Sequence, residues 1–109
     1  MKILPNGIAV LDGDSHASKW VEEQGKLDYD AAIAKVIEPL LNPGDTVIDI
    51  GAMIGSYAFG MHRAVRESGN VFAFEPNENS YDCLEHNCPK INVFNIALGR
   101  EEGFAESVI

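Results

Sequence analysis

Between residues 46 and 98 three short apolar runs alternate with two stretches of helical period, and this alternation restricts the chain more than any other feature. Thr46-Val47-Ile48-Asp49-Ile50 is β-branched and almost continuously apolar, the pattern of a strand buried on both faces inside a parallel sheet. The spacing then predicts a helix from Ser56 to about Glu67, because Ile54, Ala58, Met61 and Val65 recur at steps of four, three and four. Ser68-Gly69-Asn70 closes it, and Val71-Phe72-Ala73-Phe74 is a second buried strand. Glu75-Pro76-Asn77 turns into a third helix over 79–87, with Tyr81, Leu84 and Cys88 inward, and Asn92 to Leu98 forms a third strand. Strand, helix, strand, helix, strand with short connections demands right-handed crossovers, hence an α/β layer with three parallel strands.

The preceding residues supply other elements. Ile3-Leu4 and Ile8 to Leu11 flank Pro5-Asn6-Gly7, and Asn-Gly accepts the positive φ values of tight hairpins, so a β-hairpin opens the chain. Asp12 to Gly25 surrounds the lone Trp20 without a sustained period and is expected as a loop or a short irregular helix, with Trp20 packed for its apolar area. From Asp28 the pattern turns helical. Ile33, Val36, Ile37, Leu40 and Leu41 share one face, Asp28 or Asp30 caps the start, Pro39 distorts the last turn, and Asn42-Pro43-Gly44 ends the helix. The division expected is residues 1–27 as hairpin and irregular segment and residues 28–109 as an α/β domain, followed within it by a tail from Gly99 that is polar at first, with Glu101-Glu102 in a solvated turn, and apolar at its end.

A chain of 109 residues, 46% apolar and 23% charged, has room for one core that buries roughly 60 to 70% of the unfolded surface. Its 17 acidic against 8 basic side chains leave a net charge of -9, a field that repels a phosphate backbone. Nucleic acid is therefore excluded as an expected partner. The apolar run at the N-terminus stops at Pro5-Asn6-Gly7, too soon for a membrane anchor, so no membrane partner and a cytoplasmic setting are expected. Cys83 and Cys88, five apart, fit neither a zinc pair nor a redox motif and are expected as reduced thiols. His16, His62 and His86 have no carboxylate at ligand spacing, and no metal is expected.

Asp49-Ile50-Gly51-Ala52-Met53-Ile54-Gly55 carries the chemistry. Gly51 permits a sharp turn with bare backbone toward a ligand, Gly55 allows the following helix to approach the strand, and the helix start offers unpaired N–H groups. A carboxylate such as Asp49 at the strand end repels pyrophosphate but attracts an ammonium group, which indicates a cationic, amino-acid-bearing nucleotide rather than a dinucleotide. Glu75, ending the second strand, can accept from both hydroxyls of a ribose. The two acids fall at the carboxyl ends of adjacent parallel strands, where open α/β sheets bind ligands.

Val47 through Tyr57, Val71 through Asn77 and Asn95-Ile96-Ala97-Leu98 closely resemble the FkbM family of S-adenosylmethionine-dependent methyltransferases, over about residues 28 to 103. The resemblance implies a Rossmann-like class I half-sheet and S-adenosylmethionine as cofactor. Asp49, Gly51, Ala52 and Gly55 would surround its amino-acid moiety, Glu75 with Pro76 its ribose, and Asn95 with Ala97 its base. Met53 stands where the family more often has Asn. O-methylation of a small molecule or sugar is implied, with no catalytic residue assigned. In that fold the strand at 46–50 is central, so with the later strands of the family absent from this sequence it presents an open apolar edge. The expectation is cover by the remainder of a longer chain, by a homo-oligomer or by the N-terminal hairpin. A non-catalytic cofactor-binding or assembly module is the alternative. A nicotinamide-dependent oxidoreductase is disfavoured, since Gly51 to Gly55 lacks the Gly-x-Gly-x-x-Gly spacing.

Overall fold

A computed structural model describes residues 1–13 and 15–104, so the apolar end of the tail and Asp14 lie outside the described residues. Strands β1 (Lys2–Ile3) and β2 (Ala9–Val10) form the antiparallel hairpin. Its loop differs from the one expected. Gly7 N donates to Leu4 O at 2.8 Å and Leu4 N to Ile8 O at 2.8 Å, and only Gly7 has positive φ. Pro5 at the first corner fixes an ordinary turn, and Gly7 alone supplies the left-handed residue that returns the chain to the ladder.

The segment expected to be irregular contains a regular helix, α1 (His16–Gln24). Both ends explain it: Ser15 Oγ accepts from Ser18 N at 3.0 Å, and Gly25, at φ 72°, closes the last turn by donating to Val21 O. Helix α2 (Ala31–Ile37) starts at Asp30, whose Oδ1 accepts from Ile33 N at 2.9 Å, and runs into a 3-10 turn at Glu38–Leu40 where Pro39 sits. Its apolar face is not buried. Val36 and Leu40 are 67% and 74% exposed, because nothing among the described residues packs over them.

Strands β3 (Thr46–Ile50), β4 (Asn70–Phe74) and β5 (Asn92–Phe94) make a parallel sheet in the order β3-β4-β5, linked by α3 (Ser56–Val65) and α4 (Glu78–Asn87). β5 stops at Phe94 rather than Leu98 because its partner β4 ends at Phe74, opposite Phe94. Val47, Val71 and Ala73 point to the covered face and are buried. The opposite face, with Ile48 and Ile50 61% and 68% exposed and a Phe74–Phe94 ring stack at 5.0 Å, stays bare. The strand at 46–50 is thus buried on one face only, since both crossover helices of a right-handed β-α-β-α-β run lie on the same side. Among the described residues no strand pairs with the other edge of β3.

The hairpin and α1 share the core with the sheet: Ala9, Val10, Val21 and Leu27 pack in one cluster with Val47, Val71 and Leu84. Asn87 fastens them. Its Oδ1 accepts from Ala9 N at 2.8 Å, and its Nδ2 donates to Ala9 O and to Ile54 O, each at 2.9 Å. No helix among the described residues is long and apolar enough to cross a membrane.

Candidate functional site

The carboxyl ends of β3 and β4 emerge side by side, with Asp49 opposite Ala73 and Ile50 opposite Phe74. The chain then turns at Gly51, φ 77°, and Gly51 N and Ala52 N both donate to Phe74 O, at 2.8 and 3.0 Å. A side chain at Gly51 would meet nothing within 4 Å. The residue is needed there for its backbone conformation, and the space beside it is open.

Gly55, φ 108°, precedes α3, and a Cβ there would lie 2.7 Å from Cys88 Sγ and 3.2 Å from Leu84 Cδ1. It therefore admits α4, rather than bringing α3 onto the strand as expected. Met53 adopts φ 53°, a conformation Asn tolerates far better than Met.

Glu75, 6% exposed, braces this loop. Its Oε1 accepts from Met53 N and its Oε2 from Asn77 N, each at 2.8 Å. One carboxylate thereby joins the glycine loop to the start of α4, where Asn77 Oδ1 accepts from Ser80 N. Each oxygen keeps a second lone pair. Asn95 is engaged with backbone, its Nδ2 donating to Glu75 O at 2.9 Å and Pro76 O at 3.2 Å, so its amide secures the turn after β4. Pro76 and Ala97 are both exposed.

Asp49 is the unusual group. Its Oδ2 is buried without a hydrogen-bond partner. Burial, and then the Glu75 carboxylate, push its pKa above the ordinary 3.8. The neighbouring Cys88 thiol is pushed up to about 12 by burial, with Asp49 adding to it. A cationic ligand would satisfy the orphaned oxygen and relieve two like charges, so these residues fit S-adenosylmethionine.

Two clefts open on this part of the molecule. One of about 540 Å³ is lined on one side by Gly51, Met53, Ser56 and Tyr57 and on the other by His16, Trp20, Tyr29, Asp30 and Ile33. A larger one of about 660 Å³, which shares Tyr29 with it, reaches Lys26, Arg63 and His86 and has no residue of the glycine loop in its lining. In the sequence Trp20 is expected to pack for its apolar area, whereas Tyr29 and Tyr57 could line a cofactor pocket but read more readily as packing residues. Tyr29 is indeed buried, against Gly60, where a Cβ would overlap its ring.

Residues 49–109 match the methyltransferase FkbM domain, a span that begins at Asp49 and takes in the glycine loop, Glu75 and Asn95. Among curated relatives, the tRNA (guanine(37)-N(1))-methyltransferase of Mus musculus is 39% identical over 66 residues, which are 55% of this chain and 13% of that protein. A SAM-dependent methyltransferase from Aquifex aeolicus superposes with a TM-score of 0.51 at 26% identity, covering 72% of this chain and 46% of that one. A protein assigned as an rRNA-methylase of Clostridium thermocellum gives a TM-score of 0.57 at 18% identity over 61% and 39% of the two chains, and shows the likeness of fold alone. The chain thus spans 13% of the curated relative's length and less than half of either solved structure.

These findings overturn two expectations, that nucleic acid is excluded and that the acceptor is a small molecule. The relative with 39% identity is a tRNA methyltransferase. A net charge of -9 describes these residues only, and repulsion computed over a segment that matches 13% of such a protein does not describe the surface that meets its acceptor. With the match covering more than half of its residues, and with an α/β fold shared with S-adenosylmethionine-dependent methyltransferases, the chain belongs to the methyltransferase FkbM domain family.

Proposed function

We propose that this chain holds S-adenosylmethionine at the carboxyl ends of β3 and β4 and serves as the cofactor side of a methyltransferase, with RNA the acceptor class to test first. The observation that carries the reading is the unpartnered, buried Oδ2 of Asp49 two residues before Gly51, beside a second carboxylate that ties the loop in place. Asp49 accepts from the ligand's ammonium group, while Gly51 and Ala52 leave its amino-acid part against bare backbone, with Gly55 setting the loop. Glu75, using its second lone pairs, and Pro76 take the ribose, and Asn95 with Ala97 border the base. When bound, the cofactor supplies an activated methyl on a cationic sulfur, and the protein's task is to hold an acceptor atom in line with it, at about 3 Å. We assign the binding to residues 28–109, with residues 1–27 forming one wall. The two free cysteines, Cys83 and Cys88, suit a reducing cytoplasm.

Titration calorimetry tests this with the whole chain. S-adenosylmethionine is expected to bind and NAD not to, and Asp49→Asn should weaken binding about tenfold, the loss of one well-placed ion pair. Transfer of labelled methyl to total tRNA or rRNA then tests the acceptor. A folded protein that fails to bind S-adenosylmethionine at millimolar concentration defeats the reading. Binding without transfer to any RNA favours a silent cofactor-binding module, which the 13% coverage of the curated relative leaves room for.

A further inference from the structure

The smaller cleft has a chemical bias that the glycine loop and the two carboxylates do not account for. Three aromatic side chains line it from three separate parts of the chain: Trp20 from α1, Tyr29 from the link between α1 and α2, and Tyr57 from α3. Tyr29 and Tyr57 form a tilted pair, with ring centroids 5.9 Å apart and 36° between their planes. Among the described residues no Lys or Arg lines this cleft, and the one carboxylate in its lining is Asp30. The larger cleft differs in having basic side chains, Lys26 and Arg63, in its walls, the latter paired with Asp28. A space of about 540 Å³ lies within the range that small-molecule ligands fill. Aromatic faces attract a cation that sits within about 6 Å of a ring centroid, more strongly as water is excluded.

We propose that Trp20 and Tyr57, backed by the buried Tyr29, form an aromatic wall that holds the sulfonium cation, so that the site prefers charged S-adenosylmethionine over its neutral demethylated product, S-adenosylhomocysteine. This rests on the assignment of S-adenosylmethionine to the glycine loop. It adds a selectivity device, two of whose three residues, Trp20 and Tyr29, lie outside the matched residues 49–109. The consequence is product release. Once the methyl has left, the sulfur is a neutral thioether and the wall no longer attracts it, so product is displaced by fresh cofactor. The difference expected from cation–π attraction is about 2- to 30-fold in affinity.

Trp20 is the sole tryptophan of the chain, so its fluorescence reports on this cleft directly. Wild-type protein is titrated with S-adenosylmethionine, S-adenosylhomocysteine and trimethylsulfonium, the last a sulfonium without nucleoside. Saturable emission changes are expected with the first and the last, and a 2- to 30-fold preference for S-adenosylmethionine over S-adenosylhomocysteine. Calorimetry then follows Trp20→Leu, Tyr57→Leu and Trp20→Phe. The Leu variants should bring the preference toward unity while leaving S-adenosylhomocysteine affinity nearly unchanged, and Trp20→Phe should restore most of it. Should Trp20→Leu fail to fold, Tyr57→Leu at a 45% exposed position carries the comparison. A preference that persists in the Leu variants, or the absence of any preference in wild type, overturns the inference. If neither adenosyl ligand binds, the cofactor assignment and the selectivity both fall, and the trimethylsulfonium titration decides whether the wall still holds a cation.

Discussion

Replacing Glu75 tests whether the glycine loop keeps its shape through one side chain. The carboxylate is buried and accepts two backbone N–H bonds of 2.8 Å, from Met53 on the loop and from Asn77 at the start of α4. Hydrogen bonds to a charged group contribute about 1.5–3 kcal/mol each, so both together bring roughly 3–6 kcal/mol. Met53 is 48% exposed, and water can reach its freed N–H, which lowers the expected cost of Glu75→Ala to about 2–4 kcal/mol. That is a large share of the roughly 5–15 kcal/mol that holds a domain together. Glu75→Gln keeps one carbonyl acceptor but turns an amide N–H₂ toward a second donor, so it should lose about 1–3 kcal/mol. Urea denaturation measures both, and an unchanged m-value would show that the midpoint shift is a stability change. A loss under about 1 kcal/mol for Glu75→Ala, against the 1.5 kcal/mol minimum of a single such bond, would refute the idea that this carboxylate ties the loop to α4. Saturating ligand adds a second readout. It should stabilise wild type by about 2.7 kcal/mol at one hundred times Kd and Glu75→Ala by clearly less.

Four other substitutions probe the same loop and the strand end that leads into it. Met53→Asn relieves a left-handed residue that costs a non-glycine about 1–2 kcal/mol, and should raise the melting temperature by several degrees; no gain would mean that the loop does not hold φ near 53°. Gly55→Ala meets Cys88 Sγ and Leu84 Cδ1 as well as an unfavourable φ and should cost about 2–4 kcal/mol in denaturation, whereas Gly51→Ala, facing open space, should cost about 1–2 kcal/mol; equal costs would deny that α4 crowds Gly55. Asp49 has its pKa raised by burial and by Glu75, so it destabilises once ionised: its contribution is favourable below the ordinary value of 3.8 and lost as pH rises through the raised value. Asp49→Asn should accordingly flatten the fall in stability as pH rises above the ordinary value of 3.8, and an unchanged slope across a pH series of urea titrations would remove Asp49 as its source.

The parallel sheet was legible because β-branched runs such as Thr46–Ile50 have few other uses, and the glycine loop because its residue types are tied to a backbone conformation. Where the reading failed, either the local pattern was thin or the outcome depended on contacts that a period does not report. Periodicity marked Val36 and Leu40 as one apolar face, but a period reports which face is apolar and not what lies over it. Helix α1 was hidden because its apolar pattern is thin, with Ser18 and Val21 as its buried positions among those described, and its ends are defined by Ser15 and Gly25. The double brace by Glu75 and the backbone service of Asn95 were both out of reach, since a carboxylate or an amide at a strand end gives no sign of which N–H or C=O it will meet.

Helix α4 explains why residues outside the matched span form a wall of the cleft. At its start, Asn77 N donates to the Glu75 carboxylate that also receives Met53 N. At its end, Asn87 bonds Ile54 O, on the glycine loop, and both backbone groups of Ala9, on the hairpin. Leu11 N in turn donates to Ser18 Oγ of α1 at 2.8 Å, two residues before Trp20. Hydrogen bonds and the short stretch from Ala9 to Leu11, which contains β2, therefore link the loop, through Asn87, to the helix that carries Trp20. These bonds are partly buried beside the shared core, where a side-chain amide left half satisfied is costly. Trp20 is thus anchored, through α1 and the hairpin, to the same helix α4 that braces the glycine loop, while Tyr29 and Tyr57, both in the lining of the cleft, stand 5.9 Å apart between ring centroids.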